Sequence, residues 1–147
     1  MTEFYPMPLF VKLSVSDIER SLSWYKAVLH FESVFELTSN DGKKVMAHIR
    51  GKKYQDILLE SAQMNTDING KGVKLNVTTD DVDSFFEKAK SAEAKITEGP
   101  IDRPWNAREL LLQDPDGYLI TLSMQIDKNK TMDEITDQIN NQLSSLY

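Results

Sequence analysis

The segment RPWNARELLLQDPDGYLITL, residues 103–122, reads as two short strands joined by a tight turn. Asp114-Pro115-Asp116-Gly117 supplies the turn: the ring of Pro115 pre-sets the backbone at the second position, and Gly117 tolerates a left-handed exit. Side chains alternate across a strand. Leu110 and Leu112 therefore share one face with Ile120 and Leu122, while Glu109, Leu111 and Gln113 share the other with Leu119, Thr121 and Ser123. The first face is apolar enough to take a helix; the second is mixed, as the wall of a polar-lined cavity is. Trp105 and Asn106 sit in the loop that enters the hairpin.

The rest of the chain prepares this hairpin twice. In residues 9–15, Val11, Leu13 and Val15 alternate with Lys12 and Ser14, the pattern of a half-buried strand. A helix follows. Ser16 and Glu19 have capping-box spacing, Ile18, Leu22, Tyr25 and Leu29 fall on one face, and His30 stands where a left-handed cap residue ends the helix. Three strands come next: 31–37, then 44–50 after the Asn40-Asp41-Gly42 turn, then 54–61 after Gly51-Lys52-Lys53. Residues 62–71 read as a linker. The pattern then restarts: Val73-Lys74-Leu75-Asn76-Val77 echoes Val11-Lys12-Leu13-Ser14-Val15 at a spacing of 62 residues. A second amphipathic helix (stripe Val82, Phe85, Phe86, Ala89), a strand at 95–97, a break at Glu98-Gly99-Pro100 and the hairpin complete the second copy.

The expected fold is α+β: two tandem βαβββ modules, about 9–61 and 72–125, forming a curved, cup-like sheet. They make one domain over 1–126, followed by a C-terminal helical extension at 127–147. In that extension Thr131 and Glu134 repeat the capping-box spacing, and Ile135, Ile139, Leu143 and Leu146 form a narrow apolar stripe suited to packing on the domain or across a dimer. Pro6 and Pro8 stiffen an N-terminal arm, which reads as a plain tail or as a hinge for an arm crossing to a partner subunit.

At 147 residues, 40% hydrophobic and 27% charged, the chain has the balance of a single globular domain. Its net charge of −6 argues against nucleic acid as a partner, because phosphate contacts need a basic surface. No cysteine is present, which removes disulfides, thiolate nucleophiles and thiolate metal sites. No apolar run reaches membrane-span length, and MTEFYPMPLF lacks the features of a signal peptide, so a cytoplasmic location with no membrane partner is expected.

The duplicated βαβββ order closed by a DPDG hairpin resembles the vicinal oxygen chelate superfamily, which includes glyoxalase I, the extradiol dioxygenases and the fosfomycin and bleomycin resistance proteins. The resemblance covers residues 9–125 and rests on VKLSVSDIERSLSWYKAVLHFE and PWNARELLLQDPDGYLITL. The run Pro104-Trp105-Asn106-Ala107-Arg108-Glu109 leading to Asp114-Pro115 looks most like the bleomycin-resistance branch. The resemblance implies a cup lined by the mixed strand faces, and a groove usually completed in a homodimer. In the family's enzymes four cup residues hold a divalent ion. Carried over, those positions fall at Phe10, Glu60, Gly72 or Val73, and Thr121. Only Glu60 among them is a metal ligand.

The residues themselves agree with that departure. A catalytic divalent site needs about three converging His, Asp, Glu or Cys ligands, and the chain has two histidines and no cysteine. His30 reads as a helix cap. His48 and Glu60 lie on adjacent strands in the phase of the cup, either as two ligands with Asp56 as the nearest third, or as a hydrogen-bonded polar pair. Trp24, Phe10, Phe35 and Tyr54 each suit a core better than the wall of a flat-ligand site. Trp105 in a polar loop is the stronger wall, because an indole is costly to expose unless it covers something. Arg103, Arg108 and Glu109 flank it as orienting charges or as solvated loop charges. The expected ligand-binding set is thus Trp105, Phe10, His48, Glu60, Arg103, Arg108, Glu109 and Thr121, with no catalytic residue, metal or other cofactor. The expected function is a metal-free protein sequestering a small aromatic or cationic compound. The alternatives are a metal-dependent lyase, isomerase or dioxygenase with an altered ligand set, and an interaction module acting through its C-terminal helix.

Overall fold

The computed structural model describes residues 3–62 and 68–146, with side chains to residue 144. Half of the linker at 62–71, residues 63–67 with Asn65 among them, and the side chain of Leu146 lie outside the described residues. The element order is β1 (Val11–Val15), α1 (Ile18–Leu29), β2 (Glu32–Thr38), β3 (Lys44–Arg50), β4 (Asp56–Ser61), β5 (Lys74–Thr78), α2 (Val82–Ser91), β6 (Lys95–Arg103), β7 (Ala107–Gln113), β8 (Leu119–Gln125) and α3 (Met132–Leu146). Two four-stranded sheets result, ordered β1-β4-β3-β2 and β5-β8-β7-β6. The duplication holds down to the ladder. β1 runs parallel to β4 with Ser14 opposite Glu60, and β5 runs parallel to β8 with Asn76 opposite Thr121.

The period-two pattern decides which face is buried. Leu13, Val15, Ala47, Ile49, Ile57 and Leu59 of the first sheet, with Leu110, Leu112, Ile120 and Leu122 of the second, join Tyr25, Val28 and Ala89 of the helices in one core. The mixed faces turn away from it. Tight links across the seam join the halves. The Gln55 amide donates to the Thr78 carbonyl (2.9 Å), and the Tyr118 hydroxyl to the Ser14 carbonyl (2.9 Å). The DPDG turn is the strongest of these links. Asp114 is buried and accepts from the Tyr25 hydroxyl (2.7 Å) and from the amides of Asp116 (2.9 Å) and Tyr118 (2.8 Å). Asp116 accepts from the amide (3.2 Å) and hydroxyl (2.6 Å) of Ser16.

That contact moves the cap of α1. Ser16 is occupied by the turn, so Asp17 is the N-cap and accepts from the Arg20 amide, in place of the expected Ser16–Glu19 box. His30 does end the helix in the left-handed conformation (φ 59°). The expected break at Glu98-Gly99-Pro100 is absorbed: β6 runs through it, with register shifts on either side of Glu98, as β-bulges allow. The third strand starts at Asp56, because Tyr54 lies in the preceding turn with positive φ. The N-terminal arm folds back on its own sheet. The Tyr5 ring is buried beneath the Arg50 guanidinium (4.1 Å), and Arg50 also donates to the Glu3 carbonyl (2.7 Å). Among the described residues, no helix is long and apolar enough to cross a membrane.

Candidate functional site

The mixed face of the second sheet carries the densest arrangement of candidate groups. Glu109 on β7 is buried, and its two carboxylate oxygens divide between two neighbours: Oε1 accepts from Arg103 Nε (3.0 Å), Oε2 from the Trp105 indole (3.0 Å). Arg103 turns its remaining nitrogens on Glu98, donating from Nη1 (3.1 Å) and Nη2 (2.9 Å). Its guanidinium stands 5.7 Å from the centre of the Trp105 ring. The indole is thereby oriented while 44% of the residue stays exposed. Two carboxylates share one guanidinium, so the group carries a net charge of −1. Ser123 lies opposite Glu109, and Thr121 one pair further along the same face, opposite Leu111 and beside Asn76.

This face ends beneath α3. A cavity of about 570 Å3 lies where β5 and β8 finish and β7 begins, between Trp105, Thr78 and Ser123 on one side and Met132, Ile135 and Ile139 on the other. A second cleft, of about 340 Å3, opens at the seam between the modules, lined by Phe10, Tyr54, Leu75 and Asn76.

The other expected residues are dispersed. His48 does not meet Glu60. His48 is opposite Leu58, with Asp56 and Glu60 each one same-face pair away on either side, and its ring turns to Asp56, with Nε2 2.8 Å from Oδ1. Asp56 also accepts from Arg50 Nε (2.7 Å) and from the Tyr5 hydroxyl. Burial works against its charge, but the hydrogen bonds from Tyr5, Arg50 and His48 outweigh that and hold its carboxyl below the ordinary value. Glu60 is partly exposed, 3.9 Å from Lys12. Phe10 lies at the seam cleft, not beside Trp105. Arg108 lies on the helix-facing side of β7, donating to Asp83 of α2 (3.1 and 2.9 Å) and to Asp102 (2.8 Å), so it braces α2 and does not flank the indole.

A catalytic divalent ion does not fit these residues. Phe10, Gly72 or Val73, and Thr121 stand at three of the carried-over positions, none of them a metal ligand, and Glu60 at the fourth lies 3.9 Å from Lys12. Among the described residues no three His, Cys, Asp or Glu side chains gather as a metal-binding group.

Two contributors escaped the sequence reading. Glu98, expected in a break, belongs to the Arg103 network because β6 continues through it. Asn106 anchors the approach to α3, accepting from the Asp127 amide (2.9 Å) and donating to its carbonyl (2.8 Å). The only sequence signal for it was an asparagine in a turn, a residue type that tolerates the left-handed conformation it adopts (φ 62°).

Residues 9–122 match the family model described as Glyoxalase/Bleomycin resistance protein/Dioxygenase superfamily. The chain belongs to this superfamily. Within the superfamily's fold it resembles TioX from Micromonospora sp. ML1, with a TM-score of 0.67 at 21% identity over 80% of this chain and 97% of that one. It also resembles TnmS3, described as an antibiotic binding protein from Streptomyces sp. CB03234, with a TM-score of 0.66 at 22% identity over 85% of this chain and 98% of that one. An uncharacterized protein of Mycobacterium bovis is 24% identical over 138 residues, 88% of this chain and 90% of that protein. The superfamily match ends at residue 122, before α3.

Proposed function

We propose that this superfamily member binds a small, flat, aromatic or cationic compound on the mixed face of its second sheet, without a metal and as a homodimer. The observation that carries the reading is Trp105: an indole left half-exposed, yet held in one orientation by a buried carboxylate. An exposed ring gains little from such fixing unless a ligand stacks on it. The charge of −1 on the Glu98–Arg103–Glu109 group, within a chain of net charge −6, favours a cation beside the ring. The described antibiotic binding of TnmS3 is in keeping with this use of the fold. Exposed Phe35 and Leu37 on the mixed face of the first sheet suit contact with a second copy.

Proflavine, a planar cation, is a direct probe. In a Trp24→Phe background, saturable quenching of Trp105 fluorescence is expected, weakened at least tenfold by Glu109→Gln. A panel of planar cations that leaves Trp105 unquenched would overturn the reading.

A further inference from the structure

Helix α3 is held in place at its start and left open along its length. Asn106 is buried, and besides its two side-chain bonds to Asp127 its carbonyl accepts from the Ile126 amide (3.1 Å). The chain leaving β8 is therefore clamped at the residue next to Trp105. Thr131 and Glu134 then form a reciprocal capping box, each side chain accepting from the other's amide at 3.2 Å. Lys130 Nζ adds a bond to Gln138. The helix thus starts at a determined place beside the indole.

Its apolar stripe does not close on the sheet. Ile135 and Ile139 look across the cavity of about 570 Å3 towards Trp105 and Ser123. A helix of 15 residues is marginal in water by itself and gains most of its stability by burying such a stripe. Here the stripe faces a space within the size range of small-molecule sites. The walls are indole, isoleucine and methionine, with hydroxyls of Thr78 and Ser123 among them; the charged lining residues are the exposed Lys128 and Asp80, the latter paired with Lys52 (2.9 Å).

We infer that α3 is the chain's own wall of a ligand cavity, and that this cavity takes an uncharged, flat, largely hydrophobic molecule or the corresponding part of a larger one. Trp105 stacks on its face, Ile135 and Ile139 cover it, and the Ser123 and Thr78 hydroxyls meet a polar edge. This rests on the small-molecule reading above. It adds a segment outside the superfamily match and a ligand part that does not depend on the acidic group.

Nile red, a neutral planar dye, tests it on the full chain. Expected are saturable, blue-shifted fluorescence at one dye per chain, energy transfer from Trp105 in the Trp24→Phe background, and hydrogen exchange in 132–143 slowed at least threefold by the dye. The double variant Ile135→Ser/Ile139→Ser should bind Nile red at least tenfold more weakly while proflavine still quenches Trp105. Unchanged Nile red affinity in that variant, or no slowing of exchange in the unaltered protein, overturns the inference whatever proflavine does. If the variant splits a dimer, the stripe is a subunit contact and the inference likewise falls. Loss of proflavine quenching with Nile red binding intact would instead sink the charged-site reading alone.

Discussion

Single side chains set the chemistry of both mixed faces, and two carboxylates show how differently one residue type behaves. Asp56 is buried, but three hydrogen-bond donors hold its carboxyl below its ordinary value. Its stabilisation is complete above the unfolded aspartate range, about 3.9, and is lost as pH falls through the lowered folded value. Asp114 runs the other way. Burial pushes its carboxyl up by more than Tyr25 and the turn amides hold it down. The folded chain then takes up a proton before the unfolded one, and this group adds stability as pH falls through its raised folded value towards the ordinary aspartate value. Denaturant unfolding at pH 7, 5 and 3 checks both. Asp56→Asn should cost about 2–4 kcal/mol at pH 7 and flatten the acid-side loss. Asp114→Asn should cost about 1 kcal/mol or less, since its amide still accepts from the turn and can donate to the Tyr25 oxygen. At this scale the sequence marked Trp105, Glu109 and Arg103 as neighbours correctly. It mispaired His48, because strand phase gives the face of a side chain but not which residue along the neighbouring strand it meets.

Among the elements, the DPDG hairpin and α3 behave differently. The hairpin turn was legible because proline and glycine restrict the backbone locally. Gly117 has φ 93°, and an added Cβ would stand 2.9 Å from the Asn69 carbonyl oxygen. Gly117→Ala should therefore cost about 1–3 kcal/mol in thermal or denaturant unfolding, without changing the ligand face. For α3 the capping box was also legible, being local in sequence. Thr131→Ala should cost the helix about 1 kcal/mol, read as faster hydrogen exchange in 132–143 with β8 unaltered. The continuation of β6 through Glu98-Gly99-Pro100 was not legible. Those residues discourage a regular strand, and only pairing with β7 on both sides of the irregularity carries the strand across.

In the whole molecule, the two modules share one core and are pinned at the seam by the DPDG turn, whose carboxylates reach Tyr25 and the β1–α1 corner. The proposed second copy belongs to this scale. Phe35 is 52% exposed and lies outside the shared core, so Phe35→Asp should leave the melting temperature within a few degrees. Sedimentation should then move from dimer to monomer. A protein that sediments as a monomer before the substitution removes the dimer from the proposal.

Period-two alternation, the caps and turns, and an echo 62 residues apart were enough to establish the paired modules, because each acts between residues close along the chain or repeats a local pattern. Membership of the superfamily followed from the same features. Tertiary structure alone decided that Arg108 braces α2, that Tyr5 covers Asp56, that Glu98 joins the Arg103 network, and that α3 stands over a cavity beside Trp105. Each of these depends on the distance and direction between side chains on different elements. Those are set by sheet register, a bulge and the Asn106 clamp, and none of them is written in the spacing of residues along one strand or helix.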